Sequence, residues 1–484
     1  MWLSQRGVIV ALVLWVAIRW IFAAARELVP DEAYYWVWSR HLALSYFDHP
    51  PMVAYLIRLG TILAGENELG VRWWAGLMTA ATMAILALTA KRLTGDVRAA
   101  VFVAMMLLLS PMINVIGLIV TPDTPLCFFT ACALGCVLLI FAPNSLGEDL
   151  SRGKLWLAFG VFLGLAMLSK YTAILLGIAV AGAMLSSADG RRHFFMPWPW
   201  LGAVFALAVF SPVIMWNAQH NWASFRFQLH HGLGSSASSP WKNLLEYFGG
   251  QLALATPVFF VFLLIVLAVY FYRQNNPMHI RILLAASTLP IVFFAWSALH
   301  KHVEANWPLM AYLPGALLIG HYLSENWSRR RIFWAEVAMK VALVGTILIH
   351  FPEATWAVRP SLGTPLWDEL FGWRTLATEV EKEKQDSPVF TTDYEFASEL
   401  SFYLPGHPSV WPLREPSRPT VFDFIGTPPD IGSLLRMLIV RRGNLGMPDS
   451  LRPYFQEFQR IHFETIEHQR MIRETTISVA SKVP

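Results

Sequence analysis

The sequence predicts an all-α polytopic membrane protein that carries a small extracytoplasmic α/β domain at its C-terminal end. Three observations lead there. Only 14% of the 484 residues are charged and 55% are hydrophobic, against roughly a quarter charged in soluble domains. Apolar runs such as FFVFLLIVLAVYFY recur along most of the chain, many near the ~20 residues that cross about 30 Å of hydrocarbon. After about residue 352 the composition turns richer in charge and proline. A transmembrane β-barrel is excluded, because it needs short alternating strands rather than continuous apolar runs.

The apolar runs segment into about eleven expected spans, at 7–26, 71–90, 97–119, 124–142, 155–170, 172–187, 197–216, 249–272, 282–299, 306–323 and 332–351. The first has no small-residue cleavage site and reads as a retained helix. With the N-terminus in the cytoplasm, Lys91 and Arg92, Arg152 and Lys154, Arg191 and Arg192, Arg273 and Arg281, and Arg329 to Arg331 all fall on the cytoplasmic side. That is the asymmetry the positive-inside rule requires. The net charge of +4 is therefore spread over small loop clusters and is no signature of nucleic-acid binding. Cys127, Cys132 and Cys136 share one apolar segment, so neither a disulfide framework nor a cysteine metal site follows. The tail, 352–484, divides into PVFTTDYEFASELSFYLPG, a strand, turn and helix, and RPTVFDF and RMLIVRRGN, two further strands. The transmembrane domain is expected to span 1–351, with its first external loop at 27–70.

The opposite face collects a different chemistry. VPDEAYYWVWSRHLALSYFDHPPMVAYLIRLG, residues 28–59, places Asp31 and Glu32 after the first span and Asp48 and His49 before Pro50 and Pro51. Two interfacial helices are expected there, with the Trp and Tyr side chains at headgroup depth. Asp31 reads either as a helix N-cap or as a general base placed by that role; the two are compatible. Asp123 in TPDTP is turn chemistry or a ligand-facing acid. Lys170 in LSKYT is a snorkelling lysine or a phosphate contact. HKHVEANWP gathers His300, Lys301, His302, Glu304 and Asn306 beside a span. Arg72 begins the second span on this face, and Arg19 sits inside the first, where a charge usually turns toward protein. His220, His230 and His231 match no metal-ligand spacing.

Taken in order, PDEAYYW, FDHPP, GVRWW, TPDTPL, SKYT and EANWP resemble the GT-C glycosyltransferases across residues 8 to 325. The bacterial branch related to protein mannosyltransferases and to aminoarabinose and galacturonic acid transferases of lipid A and lipopolysaccharide is the nearest in pattern. The resemblance implies an inverting enzyme of the inner membrane. It would move a sugar from a polyprenyl-phosphate donor to a lipid A, lipopolysaccharide or other envelope glycan acceptor. It implies Asp31 as general base, Glu32 its neighbour and Asp48 the second acid of the loop. Donor phosphate and substrate contacts would come from His49, Arg72, Asp123, Lys170, His300, Lys301, Glu304 and Asn306. His49 stands where aminoarabinose relatives carry lysine. No cofactor is required by the pattern, and a divalent metal at Asp48 and His302 is left open. The competing readings are protein O-mannosyl transfer and, outside enzymes, a flippase for lipid-linked sugars. The absence of an internal repeat argues against the last.

Overall fold

The computed structural model describes residues 5–142, 149–234, 239–351, 369–413, 419–446, 448–467 and 470–482. Residues 352–368, the start of the expected tail domain, lie outside them. Two compact units result. The first comprises Met1–Trp20, His49–Val53 and Trp74–Phe351; the second comprises Ile21–Asp48, Ala54–Trp73 and Pro352–Pro484.

Helices follow the apolar periodicity in order. They are α1 (Gln5–Ala25), α2 (Pro30–Arg40), α3 (Met52–Ala64), α4 (Glu68–Thr94), α5 (Val97–Leu108), α6 (Pro111–Leu118) and α7 (Asp123–Ile140). Then come α8 (Asp149–Ser169), α9 (Ile174–Leu185), α10 (Ala188–Phe194), α11 (Pro197–Gln219), α12 (Ala223–Leu233) and α13 (Pro240–Leu254). The run closes with α14 (Pro257–Tyr272), α15 (Met278–Ala298), α16 (Tyr312–Glu325) and α17 (Arg329–His350).

The chain is a multi-pass membrane protein, but the eleven expected spans are not eleven equal rods. Among the described residues seven helices are long and apolar enough to cross a bilayer, and two bent pairs raise that to nine. The pair α5–α6 bends by 63° and α13–α14 by 106°. Both breaks precede a proline, Pro111 and Pro257, which supplies no amide proton and forces its predecessor out of helical geometry. Ser110 is accordingly extended (φ −70°, ψ 123°) and Thr256 leaves the helix at φ 65°. The expected spans 172–187 and 306–323 become the shorter helices α9 and α16, of 12 and 14 residues.

Within the first unit α8 packs along α11 on a seam of small residues. A Cβ on Gly160 would meet the Gly202 carbonyl at 2.0 Å, and one on Gly202 would meet the Trp156 carbonyl at 2.6 Å. Close backbone approach of this kind is how helices associate where lipid supplies no hydrophobic drive. Gly160→Val is expected to lower stability by about 1–3 kcal/mol, read as a lower melting temperature of the detergent-solubilised protein, whereas Gly182→Ala, where a Cβ meets nothing within 4 Å, leaves it near wild type. Inside α1, Arg19 directs Nη2 to the Asn114 side chain and stacks 4.6 Å from the Trp15 ring. The buried arginine of the first span thus turns toward protein, as its cost in lipid demands.

The second unit is built on a five-stranded sheet. Its strands are β1 (Val389–Thr391), β2 (Trp411–Pro412), β3 (Arg436–Arg442), β4 (Glu457–Glu467) and β5 (Arg470–Ser481), in spatial order β2-β1-β3-β5-β4. β1 runs parallel to β2 and β3, and the remaining pairs are antiparallel. Alternate β3 residues Met437 and Ile439 join Phe390, Leu451, Phe455 and Ala480 in one core, while Leu438 and Val440 are buried on the other face. A strand buried on both sides reads as a continuous apolar run, which RMLIVRR is. Helix α18 (Trp373–Lys384) buries Trp373, Leu376, Ala377 and Val380, the i, i+3, i+4, i+7 stripe of an amphipathic helix. Helix α19 (Tyr394–Tyr403) starts at Asp393, whose side chain accepts the Phe396 amide.

RPTVFDF is not a strand. Val421–Asp423 form a 3-10 turn, with the Asp423 carboxylate accepting the Thr420 amide. Nor do the aromatics of the first loop form an interfacial belt. Trp36 and Trp38 are almost fully buried; Trp36 packs edge-on to Phe402 of α19 at 5.0 Å, and Trp38 stacks on Tyr46 at 4.5 Å. Protein offered these rings a larger apolar contact than the bilayer interface does, and burying them is worth more than wetting their edges.

Candidate active site

Two clusters carry the chemistry, one in each unit. In the second unit α2 begins after Val29, which is extended (φ −85°, ψ 154°) and is therefore the N-cap in place of Asp31. Pro30 takes the first helical position, which a missing N–H suits. Asp31 and Glu32 then fall in the first turn, where the helix dipole favours acids. They point apart. Asp31 is exposed, while Glu32 is wholly buried and meets Arg72 in a fork, Oε1 to Nε at 2.8 Å and Oε2 to Nη2 at 2.5 Å. Glu32 also accepts the Val29 amide at 3.2 Å. Arg72 gives its other donors to the carbonyls of Ala23, Arg26 and Glu27 at 2.8–3.2 Å. The arginine thereby satisfies the end of α1 and holds the start of α2.

Asp48 is buried and accepts the Tyr34 hydroxyl at 2.7 Å. The same hydroxyl accepts the Val421 amide at 2.7 Å, so Tyr34 joins the FDHPP acid to the tail sequence. Sequence reading overlooked Tyr34, although its place three residues after Asp31 sets it on the same helix. Glu68, likewise unflagged, is met by Arg374 and by the Tyr403 hydroxyl. Glu27 accepts the Trp373 amide at 2.7 Å; burial raises its pKa, and this hydrogen bond and the Arg374 charge pull the other way.

Glu399 is the least expected group. It lies in α19, fully buried, and neither carboxyl oxygen has a hydrogen-bond partner among the described residues. Burial pushes its pKa well above the usual carboxylate range, against a lowering pull from Arg473. A raised folded pKa means the folded state holds this proton more tightly than the unfolded chain. Stability is undiminished below the ordinary value of 4.5 and falls as pH climbs above it. Glu399→Gln removes that loss. Its gain in melting temperature over wild type should grow from about pH 4 to about pH 8; a constant difference would contradict the assignment.

In the first unit three motifs meet. Lys170 is extended (φ −154°) between α8 and the following 3-10 turn, and its Nζ lies 2.8 Å from Asp123 Oδ1. Asp123 opens α7, and its Oδ2 accepts from Asn306 Nδ2 at 2.8 Å. Asp123 and Lys170 are both buried. TPDTP is held by Thr124, which bonds the Ile116 carbonyl at 2.9 Å. The EANWP turn is held by Gln251 of α13, which donates to the Ala305 carbonyl at 2.9 Å and accepts from Tyr312 at 2.7 Å. A buried lysine paired with a carboxylate whose other oxygen is taken by an amide is a cation fixed in position, suited to meeting an anionic oxygen.

The rest of HKHVEANWP is not gathered there. His300 bonds the Trp296 carbonyl at 3.0 Å and is exposed. His302 lies between Glu246 at 3.1 Å and Glu304 at 3.4 Å, all at the surface. Lys301 is half-buried, and burial lowers its pKa. His49 is half-buried in the first unit. Among the described residues no group of three or more His, Cys, Asp or Glu is arranged to hold a metal ion.

Comparison with known proteins bears on what these clusters serve. Residues 48–216 match the family described as dolichyl-phosphate-mannose-protein mannosyltransferase. The lipid A galacturonosyltransferase RgtD of Rhizobium johnstonii is 28% identical over 356 residues, 72% of this chain and 70% of that protein. An undecaprenyl phosphate-alpha-4-amino-4-deoxy-L-arabinose arabinosyl transferase of Pseudomonas fluorescens is 24% identical over 320 residues, 62% of this chain and 56% of the other. The crystal structure of ArnT from Cupriavidus metallidurans bound to undecaprenyl phosphate superposes with a TM-score of 0.67, at 17% identity, over 98% of both chains. This chain is a membrane glycosyltransferase of the GT-C fold.

The GT-C assignment covers the tail as well as the spans, because the structural match runs over 98% of the chain. The sequence resemblance reached only residue 325. Among the residues sequence reading missed in this glycosyltransferase, Glu399 carried no signal at all. It occupies an ordinary position of SELSFY, and only packing in α19 buries it.

Proposed function

We propose that the chain transfers a sugar, with inversion, from a polyprenyl phosphate to a lipid A or related lipopolysaccharide acceptor outside the cytoplasmic membrane. The observation that carries the reading is the meeting of Lys170 and Asn306 at Asp123, which brings three separated motifs together and fixes a buried cation. A polyprenyl phosphate leaving group needs such a cation where negative charge develops. The named substrates of RgtD and of the arabinosyl transferase support a lipid A acceptor and an undecaprenyl-phosphate donor.

In this reading Asp31, solvent-facing on the rigid first turn of α2, accepts the proton of the attacking hydroxyl. Asp48, held by Tyr34, orients the acceptor. Lys170 and Asn306 receive the phosphate, and Asp123 positions both. Glu32 and Arg72 serve as the buried frame of the loop. The half-buried Lys301 is an auxiliary cation, while His49, His300 and Glu304 border the substrates. The chemistry lies on the extracytoplasmic face, with the N-terminus in the cytoplasm and residues 352–484 outside. A metal at Asp48 and His302 is not needed in this scheme, since Lys170 supplies the charge.

The mannosyltransferase family match favours one second reading, sugar transfer to protein. Envelope lipids and proteins from cells with and without the gene separate the two by mass analysis. A sugar-sized mass lost from lipid A species in its absence is the expected result. The same mass lost from proteins alone would replace the acceptor assignment.

A further inference from the structure

The second unit contains an open cavity of about 150 Å³ that includes none of the residues assigned above. The last turn of α2 and the segment following α19 form it, and its working lining is Trp36, Arg40, His41, His407, Trp411 and Phe422. The composition is telling. One guanidinium and two imidazoles face it, three aromatic rings wall it, and no carboxylate is among its described lining residues. Arg40 has no acidic partner among the described residues. Its guanidinium sits 5.1 Å from the Trp36 ring, and Nη1 bonds the His407 carbonyl at 3.2 Å. A stacked guanidinium keeps most of its fork available for an anion.

The wall that Arg40 bonds is preset. His407 and Gly406 both adopt left-handed backbone, φ 50° and 77°, an uncommon conformation for a residue with a β-carbon. His407 Nδ1 donates to the Phe402 carbonyl at 2.6 Å, and its ring lies 5.3 Å from Trp36. Trp411 packs edge-on to Phe422 at 6.2 Å. The Trp411 indole N–H and the His41 ring have no hydrogen-bond partner among the described residues, so donors remain for a ligand. Rings presenting flat apolar faces beside a few fixed donors match a pyranose, which has apolar C–H faces and an equatorial rim of hydroxyls.

The cavity also touches the catalytic loop. Phe422 stacks 6.3 Å from Tyr34, and Tyr34 donates to Asp48 at 2.7 Å. A ligand held here is therefore two side chains, Phe422 and Tyr34, away from the residue assigned to orient the acceptor.

We propose that this cavity is an acceptor subsite that holds a saccharide bearing phosphate or carboxylate, with Arg40 on the anion and Trp411 and Phe422 on the sugar face. The inference rests on the reading that the acceptor is a saccharide-headed lipid. It assigns the cavity to a part of that acceptor distinct from the hydroxyl that reacts.

The test uses the purified full chain in detergent, without donor. The probes are the acyl-free bis-phosphorylated glucosamine disaccharide and the same disaccharide without phosphates, followed by saturation-transfer NMR and equilibrium dialysis. Wild type should bind the phosphorylated form and discriminate against the neutral one. Arg40→Gln should weaken that binding about tenfold or more, and Arg40→Lys should retain part of it. In transfer assays Arg40→Gln should raise KM for the acceptor while kcat and the donor KM hold. Equal affinity for the two disaccharides, or wild-type binding by Arg40→Gln, overturns the proposal. Transfer without Arg40-dependent binding removes this subsite and leaves the proposed function standing. Arg40-dependent binding without transfer supports the subsite and removes that function.

Discussion

Asp31→Asn should leave a folded protein that transfers sugar about 10²–10⁴-fold more slowly, the usual contribution of a positioned general base. The substitution keeps size and removes only basicity. Asp31 is exposed in the first turn of α2, where one acid at a helix N-terminus contributes ~0.3–1 kcal/mol. A fall in kcat far larger than any shift in melting temperature accounts for separates chemistry from stability. Glu32→Gln, one residue along, should behave in the opposite way and destabilise first, because Glu32 is buried against Arg72. Parallel measurement of kcat and unfolding for the two variants distinguishes the roles. Wild-type transfer by Asp31→Asn would remove Asp31 from the mechanism.

Arg72→Met should be the most damaging single change to stability, by about 3–5 kcal/mol, because it strands a buried carboxylate. Both partners are at most 1% exposed, so solvent screening does not soften the loss. Three carbonyls of residues 23–27 also lose their donor. Expression, and melting temperature where protein is recovered, read the effect. Arg72→Lys should recover only part of it, since an ammonium cannot reproduce the fork to Glu32 while reaching the carbonyls. Had Arg72 served mainly the donor phosphate, Arg72→Lys would raise the donor KM and leave unfolding unchanged. That pattern would contradict the structural role.

The sequence displayed the membrane class, the unequal chemistry of the two faces and the motifs themselves. TPDTP, SKYT and EANWP could each be marked, but their meeting spans separations of 47 and 183 residues, which no local pattern encodes. The Glu32–Arg72 pair was half-legible, because buried charges need partners, though nothing in the chain names the partner. The expected count exceeds nine at 172–187 and 306–323, where the apolar runs fold as helices of only 12 and 14 residues, while Pro111 and Pro257 bend spans that hydropathy averages over as straight. Thr420 and Asp423 likewise carried a capping signature, overridden by the strand-like composition of VFDF. The aromatics of the first loop were misplaced for a different reason. A Trp that suits the interface of a bilayer also suits a protein core, and only the packing of α19 on α2 decides between them.

The most direct measurement is a defined transfer reaction with the purified full chain in detergent, where no compartments exist for a flippase to separate. The substrates are an undecaprenyl-phosphate sugar, labelled in the sugar, and lipid A. The account predicts a lipid A species heavier by one sugar, with stoichiometric undecaprenyl phosphate released and the anomeric configuration inverted, formed about 10²–10⁴-fold more slowly by Asp31→Asn. Label recovered only in protein, no transfer from any polyprenyl-phosphate sugar, or undiminished transfer by Asp31→Asn would contradict it.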